Sequence, residues 1–179
     1  MVPKPFPPTI AGKQVTLRWL HPSFFLEYHQ MFSPTVRDAL HLRLAAPFEV
    51  TRDFLQKQLD GFTAMDLFYC IFDNTDNKLI GAIKIRDPQS EEAAQHGQLG
   101  VWMNEKYWGH NRYQEALALA TQAYFAHTNA KSIGAFIDET NLRSLRAHIK
   151  FGFVIVDTRV DSCNEAEDIK RVVLTLVKP

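Results

Sequence analysis

The chain is predicted to be α/β of the α+β kind, with a mixed, mostly antiparallel sheet of six to seven strands flanked by helices. Three observations predict this. Seven short runs rich in β-branched, aliphatic and aromatic residues are bounded by turn residues, at 14–20, 67–72, 78–86, 98–103, 132–137, 153–156 and 169–177. Between them lie stretches with apolar side chains at helical spacing and recognisable caps. The order is strand, helices, three strands, helix, strand, short helix, two strands, which is not the regular alternation of a doubly wound fold. At 179 residues one domain spanning 1–179 is expected, with residues 1–10 as a Pro-rich extended arm.

Taken in order, residues 14–20 alternate polar and apolar side chains and read as a strand. Ser23 is a good N-cap for a helix from Phe24 to Phe32. Ser33-Pro34-Thr35 is a second helix start, with Pro at the first helical position, covering Val36 to Leu42. After Pro47, a helix beginning at Thr51 or just before it presents Phe54, Leu55, Leu59 and Phe62, with Gly61 near its end. Residues 67–72 and 78–86 form a hairpin around the turn residues 73–77, and residues 87–96 are a polar loop.

The stretch 98–127 organises the chain. Residues 98–103 are a strand and 104–106 a polar turn. Helix formers from Tyr113 onward carry Tyr113, Leu117, Ala120, Tyr124 and His127 on one face. Strand, short loop and helix aim backbone N–H groups and the positive end of a helix dipole at one point, where a phosphate can sit. Gly109 is the one residue of this loop without a side chain, and Asn111 is the next best suited to a left-handed backbone. Arg112 adds a cation for phosphate, or a solvated surface charge. Residues 132–137 are a strand, and Asn141 starts a short helix carrying Leu142, Leu145 and Ile149, with Gly152 as a left-handed C-terminal cap. Two last strands enclose an acidic loop.

Composition narrows the function. Apolar residues are 46% and aromatics 12%, the signature of a folded chain. Lys+Arg 20 against Asp+Glu 20 argues against nucleic acid as a partner. Cys70 and Cys163 are the only cysteines, and their contexts offer neither a disulfide framework nor a metal site, which fits a cytoplasmic location. No stretch is long enough to span a membrane, and the first ten residues hold no apolar signal segment.

Asn141-Leu142-Arg143-Ser144, then a short helix ending in Phe151-Gly152-Phe153, closely resembles the Asn-x-x-Ser…Gly-Phe pattern of the GNAT superfamily of acetyl-CoA-dependent N-acetyltransferases. Tyr107-Trp108-Gly109 followed by Glu115-Ala116-Leu117, and Gly100-x-Trp102 on the preceding strand, resemble its branch of ribosomal-protein N-terminal acetyltransferases. The resemblance runs from Val15 to Val177. At three places the chain departs from it. Asn111 and Tyr113 stand where the family has a second Gly and a small residue. Gln98 replaces a frequent Glu and removes a candidate base, and Val101-Trp102 replaces an aromatic pair.

The resemblance implies acetyl transfer from acetyl-CoA to a primary amine. It also implies a central strand splayed from its neighbour, so that the backbones of Val101, Trp102 and Met103 hold the pantetheine arm and one N–H polarises the thioester carbonyl. Gly109, His110, Asn111, Arg112 and Tyr113 then form the pyrophosphate loop. Asn141 would hold the pantetheine arm, or cap the helix, or both. Ser144 would give a proton to the leaving thiolate, or be an ordinary exposed hydroxyl. The side chains of 101–103, like Tyr107 and Trp108, suit plain core packing equally. His96, Glu27, His41 and Asp66 are possible bases, each equally explained as a structural or surface group; an acceptor that is already neutral needs none. The acceptor is a peptide N-terminus or a small-molecule amine, and the chain is a monomer or homodimer. A degenerate acyl-CoA-binding or interaction module, motivated by Asn111, Tyr113 and Gln98, is the alternative, and a longer acyl-CoA a third.

Overall fold

The computed structural model describes residues 5–41, 46–61, 63–86, 96–163 and 167–179. Its strands are β1 (Thr9–Ala11), β2 (Val15–Trp19), β3 (Leu67–Asp73), β4 (Leu79–Arg86), β5 (His96–Met103), β6 (Ser132–Asp138), β7 (Val154–Cys163) and β8 (Glu167–Val177). Its helices are α1 (Phe25–Gln30), α2 (Pro34–Ala39), α3 (Phe48–Asp60), α4 (Arg112–His127) and α5 (Leu142–Phe151). The sheet has eight strands in the order β1-β2-β3-β4-β5-β6-β8-β7. Every pairing is antiparallel except β5 with β6.

β3 explains the two-sided architecture. Its first six residues, Leu67 to Phe72, are an unbroken apolar run, and these and Asp73 are all buried. Leu67, Tyr69 and Ile71 pack with Ala116, Leu117, Ala120 and Tyr124 of α4, on the face that also receives Leu145 of α5. Phe68, Cys70 and Phe72 pack with Phe25 and Tyr28 of α1, Val36 of α2 and Leu55 of α3 on the other face. α4 and α5 therefore cover one side of the sheet, and α1 to α3 the other. No helix among the described residues is long and apolar enough to cross a membrane.

The structure corrects several expectations. The strand count is eight because the stretch expected to be an arm contains β1, three residues caught between Pro8 and Gly12 and too short to show a pattern. The described residues just before β1 are tied down. Phe6 is buried and stacks on Tyr124, and the Pro7 carbonyl accepts from Tyr69 Oη (2.6 Å) and Trp19 Nε1 (2.8 Å). Residues 1–4 lie outside the described residues.

His21, not Ser23, caps the first helical segment: its Nδ1 accepts from Ser23 N, and a 3₁₀ turn over Pro22–Phe24 precedes α1. α2 keeps its expected Ser33 cap, with Oγ accepting from Val36 N, but ends at Ala39, and Leu42 falls outside the described residues. α3 starts at Phe48, directly after Pro47. Phe54, Leu142 and Ile149 are exposed although they sit at apolar helical spacing, and so is His127; Phe62 is outside the described residues. β7 and β8 extend well beyond the apolar runs that announced them, because the hairpin pairs from Val154↔Thr175 out to Cys163↔Glu167 through polar residues.

Candidate active site

The sheet splits at its one parallel pair. β5 is paired with β4 from Arg86↔Gln98 to its end at Gly81↔Met103. With β6 it pairs only from His96↔Ser132 to Leu99↔Ala135. Beyond that, Phe136, Ile137 and Asp138 pair with β8 alone, and the edge of β5 that faces away from β4, at Val101 and Met103, has no paired strand beside it among the described residues. The expected divergence of the two strands is therefore present. A cleft of about 490 Å³ fills the gap, with Val101, Trp102 and Met103 on one wall and Asn141 and Ser144 on the other. The Met103 carbonyl is taken by Trp108 Nε1 at 2.8 Å. Trp102 is buried and donates to Tyr28 Oη at 3.0 Å.

The loop after β5 is built to a fixed shape. Asn104, buried, donates its amide to Met31 O and accepts from Lys106 N, which turns the chain into a 3₁₀ turn over Glu105–Tyr107. Gly109, His110 and Asn111 then take φ 90°, 49° and 63°, three left-handed residues in a row. Only the first is glycine. Asn and His are among the side chains that tolerate this region best. Asn111 is the N-cap of α4, yet its side chain makes no capping bond, so its contribution is conformational. A helix leaves its first N–H groups without intrahelical partners, which suits an anion at this end.

Two carboxylates anchor α4 here. Arg112, expected to be a phosphate cation or a solvated charge, turns its guanidinium onto buried Asp73 of β3. Burial pushes the Asp73 carboxyl up, but bonds from Thr75 and Arg112 outweigh it and hold it below the usual carboxylate range. Glu115 accepts from three backbone N–H groups, of Lys13 (2.7 Å), Gln14 (2.7 Å) and Val15 (3.0 Å), at the turn between β1 and β2.

On the other wall, Asn141 caps α5, with Oδ1 accepting from Ser144 N at 3.1 Å. Gly152 closes the helix at φ 119°, as its position predicted. Ser144 is half-buried, not exposed, and its Oγ lies 3.4 Å from His148 Nδ1. His148 is a cleft residue that the sequence reading passed over. It is 2% exposed, donates from Nδ1 to Ser144 O (2.8 Å), and lies edge-on to Tyr113 and Phe153. The signal was available, since residues 141, 144 and 148 share one helical face. Burial pushes the His148 imidazole below its ordinary value, against the opposing bond to Ser144 O. Burial also pushes the Tyr113 hydroxyl up, against a hydrogen bond with Ser144.

The four possible bases separate. Glu27 accepts from Leu79 N (2.7 Å), and buried Asp66 accepts from Thr63 N (2.8 Å); neither lines the cleft. His96 begins β5, and its side chain is outside what is described. His41 does line the cleft, where its Nε2 lies 2.9 Å from Asp138 Oδ2. Asp138 was missed as well, since a single acid at a strand end carries no pattern. Among the described residues no three His, Cys, Asp or Glu side chains gather where they could hold a metal ion.

Comparison with known proteins agrees with this geometry. Residues 14–154 match a family described as the acetyltransferase (GNAT) domain. No curated protein matches the sequence. A GNAT-family acetyltransferase from Bacillus anthracis superposes with a TM-score of 0.78 at 17% identity, over 94% of this chain and 98% of that one. A structure described as a ribosomal-protein-serine acetyltransferase from Vibrio cholerae gives 0.76 at 18% identity, over 95% and 97%. The microcin C7 self-immunity acetyltransferase MccE, in complex with acetyl-CoA and AMP, gives 0.75 at 12% identity, over 93% and 94%. At these identities the likeness is one of fold.

Proposed function

The chain belongs to the GNAT acetyltransferase family, and from that premise we propose that this N-acetyltransferase moves an acetyl group directly from acetyl-CoA to a primary amine, either a peptide N-terminus or a small amine. The observation that carries the proposal is the split between β5 and β6 beyond Leu99↔Ala135. It leaves an edge of unsatisfied strand backbone inside a cleft, the kind of surface that an amide-bearing chain can pair with.

The residues present suit acetyl-CoA. The backbones of Val101, Trp102 and Met103 would hold the pantetheine arm, and one of their N–H groups would polarise the thioester carbonyl. The left-handed run of Gly109, His110 and Asn111, with the first N–H groups of α4 through Arg112 and Tyr113, would hold the pyrophosphate. Asn111 takes the conformation that a glycine would supply, which supports a working loop over a degenerate one. When bound, acetyl-CoA would supply the activated acetyl group. Asn141 would keep the donor arm in line while also capping α5, and Ser144 would give a proton to the departing sulfur. The balanced formal charge leaves the acceptor's own charge unrestricted.

The test is thermal shift with acetyl-CoA, CoA and longer acyl-CoAs, followed by thiol release over a panel of amines. A ligand at a hundred-fold excess over its Kd stabilises the fold by roughly 2.7 kcal/mol. Acetyl-CoA is expected to do so and to release thiol only when an amine is present. No shift with any acyl-CoA at millimolar concentration would refute the proposal.

A further inference from the structure

The cleft is lined from both faces of the sheet, and its two sides carry different chemistry. Asn141 and Ser144 belong to α5, on the α4 side. The opposite side is bounded by α2, whose Val36 packs with Tyr28 and Trp102. There the wall is largely apolar, with Val36, Ala39 and Leu40, and it holds one polar pair. His41 follows the end of α2 at φ 55°, in the left-handed region that histidine tolerates better than most side-chain-bearing residues. There it meets Asp138 at the end of β6, past the last pairing of β6 with β5: His41 Nε2 lies 2.9 Å from Asp138 Oδ2. The other oxygen of that carboxylate accepts from Thr140 N (2.7 Å) and Thr140 Oγ1 (2.6 Å), so Asp138 is itself held in place.

A carboxylate only accepts hydrogen bonds, so Nε2 carries the ring proton and the lone pair of the neutral ring is on Nδ1. No described residue bonds to Nδ1, and the His41 side chain is 41% exposed against 15% for Asp138. The other charged groups of the cleft are engaged elsewhere or stand on α5. Arg171 of β8 bonds to Asp161, Arg143 of α5 lies over Trp108, and His148 bonds to Ser144 O. On α2 itself, Arg37 donates to Phe32 O, and Asp38 is exposed.

We infer that His41, oriented by Asp138, is the general base of the acetyl transfer, and that the acceptor is an α-amino group entering from the α2 side. The inference rests on the N-acetyltransferase reading above. An ammonium has no lone pair, so one proton must leave before nitrogen can attack. That proton goes to His41 Nδ1 and on to solvent across the exposed ring. The N–C bond then forms and the C–S bond breaks. The sulfur leaves as thiol with a proton from the Ser144 side, and the second nitrogen proton, lost through solvent as the amide completes, restores the one that the Ser144 side gave up. Ammonium and thioester thus yield amide, thiol and one free proton. An imidazole suits an α-amino group, which ionises near neutrality, far better than a lysine-type amine.

The test compares wild type with His41→Gln, His41→Gly and Asp138→Asn. Thiol release from acetyl-CoA is followed between pH 6 and pH 9.5, with a hexapeptide bearing a free N-terminal serine and with spermidine as acceptors. Glycine takes the left-handed backbone without strain, so His41→Gly guards against misfolding. All three variants are expected to lose about a hundred-fold in kcat/KM for the peptide at pH 7, with the acetyl-CoA thermal shift unchanged. The loss should shrink as pH rises and the amine becomes neutral unaided, and added imidazole should restore His41→Gly in part. The wild type should prefer the peptide to spermidine. Independently of turnover, ¹⁵N shifts of the free protein should show His41 protonated at Nε2, and Asp138→Asn should disturb that state.

His41→Gln working at the wild-type rate would overturn the inference, as would a pH-independent loss with no imidazole rescue, or an Nδ1-protonated ring. A wild type that binds acetyl-CoA but acetylates neither probe would overturn the amine-acceptor reading, and with it the base.

Discussion

Asn111 offers a test of whether backbone shape alone makes the loop before α4 a binding site. The residue is exposed, its φ is 63°, and its side chain makes no capping bond, so replacing it removes no contact that the fold depends on. Asn111→Gly should keep or tighten CoA binding, since glycine reaches the left-handed region freely. Asn111→Val places a β-branched residue where an L side chain is penalised by roughly 1–2 kcal/mol, and asparagine by less. That penalty can surface in two ways. If the loop stays left-handed, it appears as lost stability in both free and bound protein. If the free loop relaxes to another conformation, ligand binding must restore it, and the penalty appears as a 5- to 30-fold weaker Kd, the factor that roughly 1–2 kcal/mol represents.

Urea unfolding with linear extrapolation measures the first, and isothermal titration with CoA measures the second. The two losses in Asn111→Val should together come to roughly 1–2 kcal/mol relative to Asn111→Gly. Equal stability and equal affinity for the two variants would show that the left-handed state at 111 shapes nothing.

Three other outcomes follow from the same wall-by-wall geometry. Glu115→Gln keeps the shape of the side chain and one accepting oxygen, which can still serve Gln14 N and Val15 N, but it turns an amide NH₂ toward Lys13 N; it should cost about 1–3 kcal/mol in urea unfolding and also weaken CoA binding, because the anchor of α4 on the β1–β2 turn is weakened. Ser144→Ala should lower kcat about a hundred-fold with KM for acetyl-CoA little changed, whereas Asn141→Ala should chiefly raise that KM and cost about 1 kcal/mol as a lost cap; steady-state kinetics on the pair separates them. His148 is favoured in its neutral form by the fold, so below the ordinary imidazole value of 6.5 the unfolded chain binds more protons than the folded one. Its contribution to stability should be intact above that pH and decline as pH falls through it, and His148→Leu should remove that slope from thermal unfolding measured against pH.

The elements were legible in the sequence where a single physical period dominated. Leu67 to Phe72 of β3 is an unbroken apolar run and is buried throughout, α4 is a long run of helix formers, and Ser33, Asn141 and Gly152 are caps that act as caps. What was illegible lacked a local signal. Three residues of β1 cannot show an alternation, and the outer half of the β7–β8 hairpin is polar, held by backbone pairing in place of burial. Leu142, Ile149 and Phe54 have the right spacing yet face solvent, because spacing names a face and not what covers it. The two walls proposed to hold the donor were legible as a strand and a capped helix because each is built from contiguous residues. On the opposite wall His41 was one of four possible bases and Asp138 was not named, because the two are far apart in sequence and meet only once α2 lies against the end of β6.

That asymmetry follows from how α5 is made. A helix of ten residues needs its ends fixed, and Asn141 and Gly152 fix both. Once the cap residue is set, helical periodicity sets the rest: position 144 falls on the cap's face one turn later, and 148 one turn beyond that. Asn141 Oδ1 binds Ser144 N, so the bond that starts the helix also fixes the backbone carrying the Ser144 hydroxyl, and His148 buttresses it from below through Ser144 O. The donor wall is therefore as rigid as the helix, and its chemistry cannot drift without cost to the fold. α2 is locked at its start alone, where Ser33 Oγ accepts from Val36 N. It is six residues long, and where it meets the cleft its end is held to the sheet by the hydrogen bond between His41 Nε2 and Asp138 Oδ2. A change of acceptor through evolution would meet least resistance there, and substitutions in α2 should alter amine selectivity while leaving affinity for CoA as it was. Equal amine selectivity across a set of exchanges at Thr35, Ala39 and Leu40 would remove α2 from the acceptor site.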